Sequence, residues 1–153
     1  MISNLAVLVG LLAASVLATV AAASGFAPSV DAALGKAKEM HVATRRRDGT
    51  RSTSAPVWFM YDGGVLYFST STVSHKARRL RNGGPVYVAV GAKDGPSFEG
   101  YGTPVSDPGL IDKMAAHYRK KYWIAWLGLF VPNNNRVAAG KTLIVKVTPV
   151  RGE

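Results

Sequence analysis

The sequence predicts a mainly β (α+β) protein: a small six-stranded barrel with two short helices, behind one N-terminal membrane-spanning helix. Three observations lead there. Runs of β-branched and aromatic residues are separated by Asp48-Gly49, Asp62-Gly63-Gly64 and Asp94-Gly95, turn sequences that suit hairpins. The helical patterns between the runs are short and few, which argues against a parallel βαβ sheet. Finally, Leu5 to Ala23 is a run of 19 small and apolar residues broken only by Ser15 and Thr19. At helical rise it reaches close to the ~30 Å thickness of a bilayer's hydrocarbon core.

The elements follow in chain order. Met1 to Asn4 carries no charged side chain, which favours a retained anchor over a cleaved signal peptide. Ala21-Ala22-Ala23 does supply the small residues that cleavage uses. Basic residues follow the span (Lys36, Lys38, Arg45 to Arg47) and none precedes it. The positive-inside rule then places the C-terminal domain in the cytoplasm, on a single-pass protein of the cell membrane. Residues 1–28 are read as anchor and linker, and residues 29–153 as the barrel domain. Ser29 or Asp31 caps a short helix to Met40. Strand one spans about 41–47. Strand two spans about 51–60, with Pro56 marking an edge position or a bulge. Strand three spans 65–71, and a short basic helix spans 74–81 and stops at Asn82-Gly83-Gly84. Strand four, 85–92, alternates Val86, Val88 and Val90. Strand five spans 97–105. Asp107-Pro108 opens a second helix, with Asp as N-cap and Pro in the first turn. Strand six spans 142–148.

Composition narrows the chemistry. The 153 residues suffice for one domain with a core. Cysteine is absent, so disulfides, thiolate nucleophiles and Cys-ligated metals are excluded. His41, His75 and His117 show no metal-ligand spacing, and Asp94, Glu99, Asp107 and Asp112 form no recognisable acid/base pair. Nineteen Lys+Arg against nine Asp+Glu give a net charge of +10, which favours anionic partners. Nucleic acid is not among them, because no recognition motif accompanies the charge.

The junction from Ser69 and Thr70 through Ser74, His75 and Lys76 is the strongest candidate site. Hydroxyls, the N–H groups of a helix start and nearby fixed charge are what a phosphate needs. A merely N-capped surface helix reads the same way, since hydroxyl caps are common.

Several segments together resemble the flavin-binding split β-barrel family. They are Ala43-Thr44 with its Asp48-Gly49 turn, Pro56-Val57-Trp58-Phe59, Leu66 to Thr70, Ser74-His75-Lys76, Phe98 to Gly102, and Ile144 to Pro149. The family includes pyridoxamine-phosphate oxidase and oxidoreductases that use FMN or the deazaflavin coenzyme F-420. The resemblance covers roughly residues 37–149. It implies that Ser69, Thr70, Ser74, His75 and Lys76 grip a cofactor phosphate, and that Ser54, Ala55, Pro56 and Val57 back the ring system. It also implies a homodimer with cofactor between subunits, and hydride transfer carried by the cofactor, with no catalytic side chain assigned. Some relatives bind haem, for which His75 or His117 is the candidate ligand. The oxidase's Arg-x-x-Leu-Leu-Lys pattern is missing: Ser54 and Phe59 stand at its ends, and His75 replaces the Arg before the phosphate Lys. The FMN/deazaflavin branch fits better, with a membrane anchor pointing to a quinone or another apolar substrate. The alternative is a cofactor-free accessory subunit of a larger membrane complex.

Two further segments stand out. Arg45-Arg46-Arg47 reads as a solvated hairpin tip, or as a contact for anionic lipid or an acidic cofactor tail. Arg119 to Phe130 passes from cationic to apolar and aromatic. It reads as a helix end packed on the barrel, a pocket wall, or a segment lying at a lipid interface.

Overall fold

Turn chemistry sets the connectivity. The computed structural model describes residues 25–128 and 130–150. In order they form α1 (Pro28–Lys36), β1 (Met40–Thr44), β2 (Ala55–Val57), β3 (Phe59–Asp62), β4 (Val65–Ser71) and α2 (His75–Leu80). These are followed by β5 (Gly84–Val90), β6 (Ser97–Val105), α3 (Pro108–Lys121), a 3₁₀ helix (Trp123–Leu127), α4 (Asn134–Ala138) and β7 (Thr142–Pro149). The expected anchor, Leu5 to Ala23, lies outside the described residues. Among the described residues no helix is long and apolar enough to cross a membrane.

The first hairpin closes on Arg46, whose N–H donates to Thr50 O and whose O accepts from Gly49 N–H, with Gly49 at φ 85°. This is a three-residue loop ending in a left-handed glycine rather than a two-residue turn on Asp48-Gly49. The next turn is the two-residue kind. Asp62 pairs with Val65, and Gly63 and Gly64 take φ values of 57° and 78°, a type I′ signature.

The seven strands are ordered β2-β1-β5-β6-β7-β4-β3, and every pairing is antiparallel. The two edge strands, β2 and β3, are consecutive in the chain with only Trp58 between them. The sheet therefore curls until its edges nearly meet, forming a nearly closed barrel. The count is seven rather than the expected six because strand two is cut at Trp58. Its first half pairs with β1 (Val57 opposite Met40) and its second with β4 (Phe59 opposite Phe68). Pro56, which lacks an N–H, sits on the β2 edge.

The backbone groups at the cut are bonded by α3 and its end. Tyr118 Oη donates to Trp58 O at 2.9 Å. Tyr122 Oη accepts from Phe59 N at 3.2 Å and donates to Lys38 O at 2.6 Å. Two tyrosines thus satisfy polar groups that no sheet ladder reaches.

Two apolar layers result. Val42, Phe59, Leu66, Phe68, Val86, Val88, Val90, Val145 and Val147 fill the barrel with Phe26, Val30 and Leu34. Met60 and Ile144, from alternate strand positions, face outward and are covered by Ile111, Met114, Tyr118 and Tyr122. The covering helix α3 runs 14 residues, longer than a short helix. Its N-terminus is as expected, with Asp107 Oδ2 accepting from Leu110 N at 2.7 Å and Pro108 in the first turn. Among the described residues there are four α-helices and one 3₁₀ helix instead of two helices. α1 begins on Pro28 without a side-chain cap. At Gly100 on β6 a side chain would meet Thr148 O at 2.8 Å, so only glycine lets β6 and β7 pack there.

The buried ionisable groups give stability a predictable pH dependence. Burial is the first cause of each shift. It pushes the Tyr122 phenol up to about 12 and raises the Tyr118 phenol, while the Lys121 ammonium falls to about 8. The shift at Lys121 arises even though its Nζ lies 3.4 Å from the centre of the Phe59 ring. A lysine lowered on folding contributes stability above its unfolded value of 10.5, and that contribution is lost as pH falls through about 8. A tyrosine raised on folding contributes below its unfolded value of 10.0, and that contribution is lost toward about 12. Unfolding midpoints are therefore expected to rise from about pH 8 to about pH 10 and to fall above that. Lys121→Met should flatten the rise alone; an unchanged profile would take Lys121 out of the account.

Candidate functional site

The strand-to-helix junction is built as a cap. Ser74, extended at φ −69° and ψ 150°, accepts from Ala77 N at 3.0 Å, and its Oγ lies 3.2 Å from Thr70 Oγ1. The helix behind it has only six residues. The Ser74 hydroxyl is thus engaged in starting α2, and any anion here relies on fixed charge more than on the helix end. Lys76 is half-buried. Burial first, and then the Arg79 guanidinium, hold its ammonium below the ordinary lysine value. A buried cation beside another cation gains by meeting an anion.

The structure brings three of the predicted residues, Ser69, Thr70 and His75, onto two separate clefts. Ser69 and Thr70, with Ser71, open onto a cleft of about 380 Å³ whose far wall is Val131, Pro132, Asn133 and Arg136. Arg136 comes from α4, whose start is fixed by Asn133 Oδ1 accepting from Arg136 N at 2.8 Å. Sequence reasoning missed this residue, although the Asn-rich stretch before it is a helix-cap signal. His75 opens onto the second cleft, about 800 Å³ in volume, lined by Arg45, Arg46, Arg47, Asp48, Arg78 and Arg79. Two cationic runs some 30 residues apart in sequence therefore share one cleft. The three hairpin arginines, all exposed, line one part of it.

The guanidiniums of this cleft are held in place by neutral groups. Arg45 Nη2 donates to Tyr87 Oη at 2.8 Å, Arg46 Nη1 to Arg51 O at 2.7 Å, and Arg79 Nη1 to Thr44 Oγ1 at 3.1 Å. Arg78 Nη2 lies 3.4 Å from Val73 O. Among the described residues the ion pairs are His41–Glu39, Arg51–Glu99 and Lys113–Asp62, so none of the cleft's five arginines has a carboxylate partner within 4.0 Å. Asp48, the one acid on the lining, is turned to its own loop. Its Oδ1 accepts from Thr50 Oγ1 at 2.7 Å, which is the first cause of its lowered carboxyl pKa.

Ser54, Ala55, Pro56 and Val57 lie on and just before β2, which approaches β4, the strand that carries Ser69 and Thr70. Pro56 stands cross-strand from His41. The His41 side chain is buried, with Nε2 3.5 Å from Glu39 Oε1 and Nδ1 without a hydrogen-bond partner among the described residues. An orphaned buried nitrogen beside the expected ring-side strand, and unpaired arginines beyond the junction, both fit a large polar anion with a ring system. No group of three or more His, Asp or Glu among the described residues is placed to hold a metal.

Known structures share this architecture. An F-420 reductase aligns at 28% identity and a TM-score of 0.52, covering 78% of this chain and 92% of that one. A Listeria innocua structure, a "putative pyridoxamine 5'-phosphate oxidase", aligns at 16% identity and a TM-score of 0.57, covering 78% and 90%. The haem storage protein of Vibrio cholerae aligns at 14% and 0.58, covering 82% and 90%. The last two, at such identities, speak for the fold alone. A search of curated proteins finds no match. Residues 26–153 match the family described as pyridoxamine 5'-phosphate oxidase. That span takes in the whole barrel, both clefts and every candidate site residue, and on it the chain belongs to the pyridoxamine 5'-phosphate oxidase family.

Proposed function

We propose that this chain binds a phosphorylated flavin-type cofactor, specifically the deazaflavin coenzyme F-420, and works as a reductase. The observation that carries the reading is the cleft in which Arg45, Arg46, Arg47, Arg78 and Arg79 converge without a carboxylate partner among the described residues. FMN ends in one phosphate, which one or two guanidiniums satisfy. Coenzyme F-420 carries a phosphodiester and then an acidic tail, and five guanidiniums suit that longer row of charge. The 28% identity to an F-420 reductase supports the same choice.

When bound, the cofactor supplies the hydride chemistry. The chain's part is to hold and orient it. Arg47 and Arg78 pair with the acidic part, Lys76 and Arg79 with the phosphodiester, and Ser54 to Val57 give the ring a backing. A homodimer closing over the open cleft belongs to this reading, carried from the family resemblance. Membrane tethering through Leu5 to Ala23 and an apolar substrate such as a quinone also belong to it, and both rest on the sequence.

The test is an absorption spectrum of the purified full-length protein, followed by titration with both cofactors. The deazaflavin is expected to bind at least about tenfold tighter than FMN, the worth of about one extra charged hydrogen bond. Lys76→Ala should weaken it by about 1.5–3 kcal/mol, the loss of one such bond. Tighter FMN binding would exchange the cofactor, a Soret band would indicate haem, and a colourless protein that binds neither would be an accessory domain.

A further inference from the structure

Beyond its C-terminus, α3 continues as a five-residue 3₁₀ helix, Trp123–Leu127. Three residues per turn bring side chains at i and i+3 into register, so this helix has three rows. Tyr122 and Ala125 form the inward row and are buried. Trp123 and Trp126 form a second row, 79% and 76% exposed. Ile124 and Leu127 form the third, with Leu127 68% exposed. Phe130 follows, 74% exposed, its ring edge-on to Trp58. Both outward rows are therefore apolar, where an ordinary surface helix turns polar rows outward. The ridge is firmly seated beneath, since Trp58 stacks on Tyr122 with ring centres 4.1 Å apart and planes 4° from parallel.

Lysines flank this ridge through two adjoining clefts; Lys121 turns its Nζ over the Phe59 ring, which leaves Lys36, Lys38 and Lys120 as the exposed rim. Lys38 and Lys121 line one cleft with Trp123, and Lys36, Lys38, Lys120 and Lys121 line the neighbouring one. The one carboxylate on these linings, Glu39, sits 3.5 Å from His41. We propose that the ridge of Trp123, Trp126, Leu127 and Phe130 and its lysine rim form a docking face for the surface of an anionic lipid bilayer, with the indoles at headgroup depth and the ammoniums on lipid phosphates. Charge decides the occupant. A second copy meeting this face across a twofold axis would set the lysine rim against itself, in a chain of net charge +10. An anionic bilayer offers both an apolar layer and the opposite charge. In sequence the apolar run Leu5 to Ala23 ends 13 positions before Lys36, the last residue of α1.

The experiment uses the full chain with phosphatidylcholine vesicles, with and without phosphatidylglycerol, and spin-labelled lipid as a quencher of tryptophan fluorescence. That readout reports the ridge itself, whatever the N-terminal segment does. Strong quenching is expected in anionic vesicles, and Trp123→Phe with Trp126→Phe should remove most of the quenched signal, leaving Trp58. Lys38→Glu with Lys120→Glu, on exposed side chains, should lower the quenched fraction severalfold, as should high salt. Inorganic phosphate alone should leave the fluorescence unchanged. Quenching that ignores lipid charge and the lysine reversals overturns the proposal. So does a lipid-independent dimer that the tryptophan substitutions dissociate, which would make a second copy the occupant.

Discussion

Reversing two charges in the arginine cleft, Arg47→Glu with Arg78→Glu, is expected to weaken deazaflavin binding about 100-fold or more while leaving the fold intact. Both side chains are exposed. Arg78 makes only a 3.4 Å contact to Val73 O, so neither holds the hairpin or the helix together as Arg46 and Arg79 do. Each charge-assisted hydrogen bond lost costs about 1.5–3 kcal/mol, and two lost together correspond to roughly 100-fold or more before the added carboxylates repel the ligand. Fluorescence titration at low and high salt measures it. The wild type should lose affinity with salt far more steeply than the double variant. FMN, with its single phosphate, should lose much less than the deazaflavin. A change of less than about threefold for the deazaflavin would mean that the cleft does not hold the cofactor's acidic part.

Tyr122→Phe is expected to cost far more stability than the loss of one oxygen suggests. The change removes one oxygen, but that oxygen serves both Phe59 N–H and Lys38 O at the point where the barrel's two edges meet. The Phe59 backbone is buried, and no strand neighbour replaces the hydroxyl there. An unsatisfied buried donor costs about 1–3 kcal/mol and the orphaned carbonyl adds to it, so a loss of about 2–3 kcal/mol is expected in urea unfolding. Tyr118→Phe releases Trp58 O and the hydroxyl's bonding to Ser69, but no Phe59 N–H, and should cost about 1–1.5 kcal/mol. Amide exchange at Phe59 should accelerate in the Tyr122 variant and much less in the Tyr118 variant. Equal losses in the two variants would show that the closure does not depend on the bridging hydroxyl.

Local chemistry was legible where it is complete in a few adjacent residues. The Asp62-Gly63-Gly64 turn, the Asp107-Pro108 helix start, the Val86-Val88-Val90 alternation and the Ser74 cap are all formed as the residues dictate. The seventh strand was not legible. Residues 51–60 have the composition of one strand, and the cut at Trp58 exists because Tyr118 and Tyr122, some 60 residues later, bond the backbone that the cut exposes. The same holds for the site. Ser69, Thr70, Ser74 and Lys76 form a local motif, and family resemblance singled them out. Arg136 entered the first cleft only through the pairing of β4 with β7, which sets Ser71 opposite Thr142.

The sequence by itself determined a basic, cysteine-free, antiparallel β domain with a hydroxyl-capped strand-to-helix junction, because charge, hydroxyl caps and turn glycines act over a few residues. Tertiary structure alone decided that Arg45 to Arg47 and Arg78 to Arg79 share one cleft. It also decided that Trp123 and Trp126 lie exposed on the surface rather than in the core. Both outcomes depend on how a sheet curls and closes. Closure is settled by contacts between residues distant in the chain, and no local pattern encodes the point at which two edges meet.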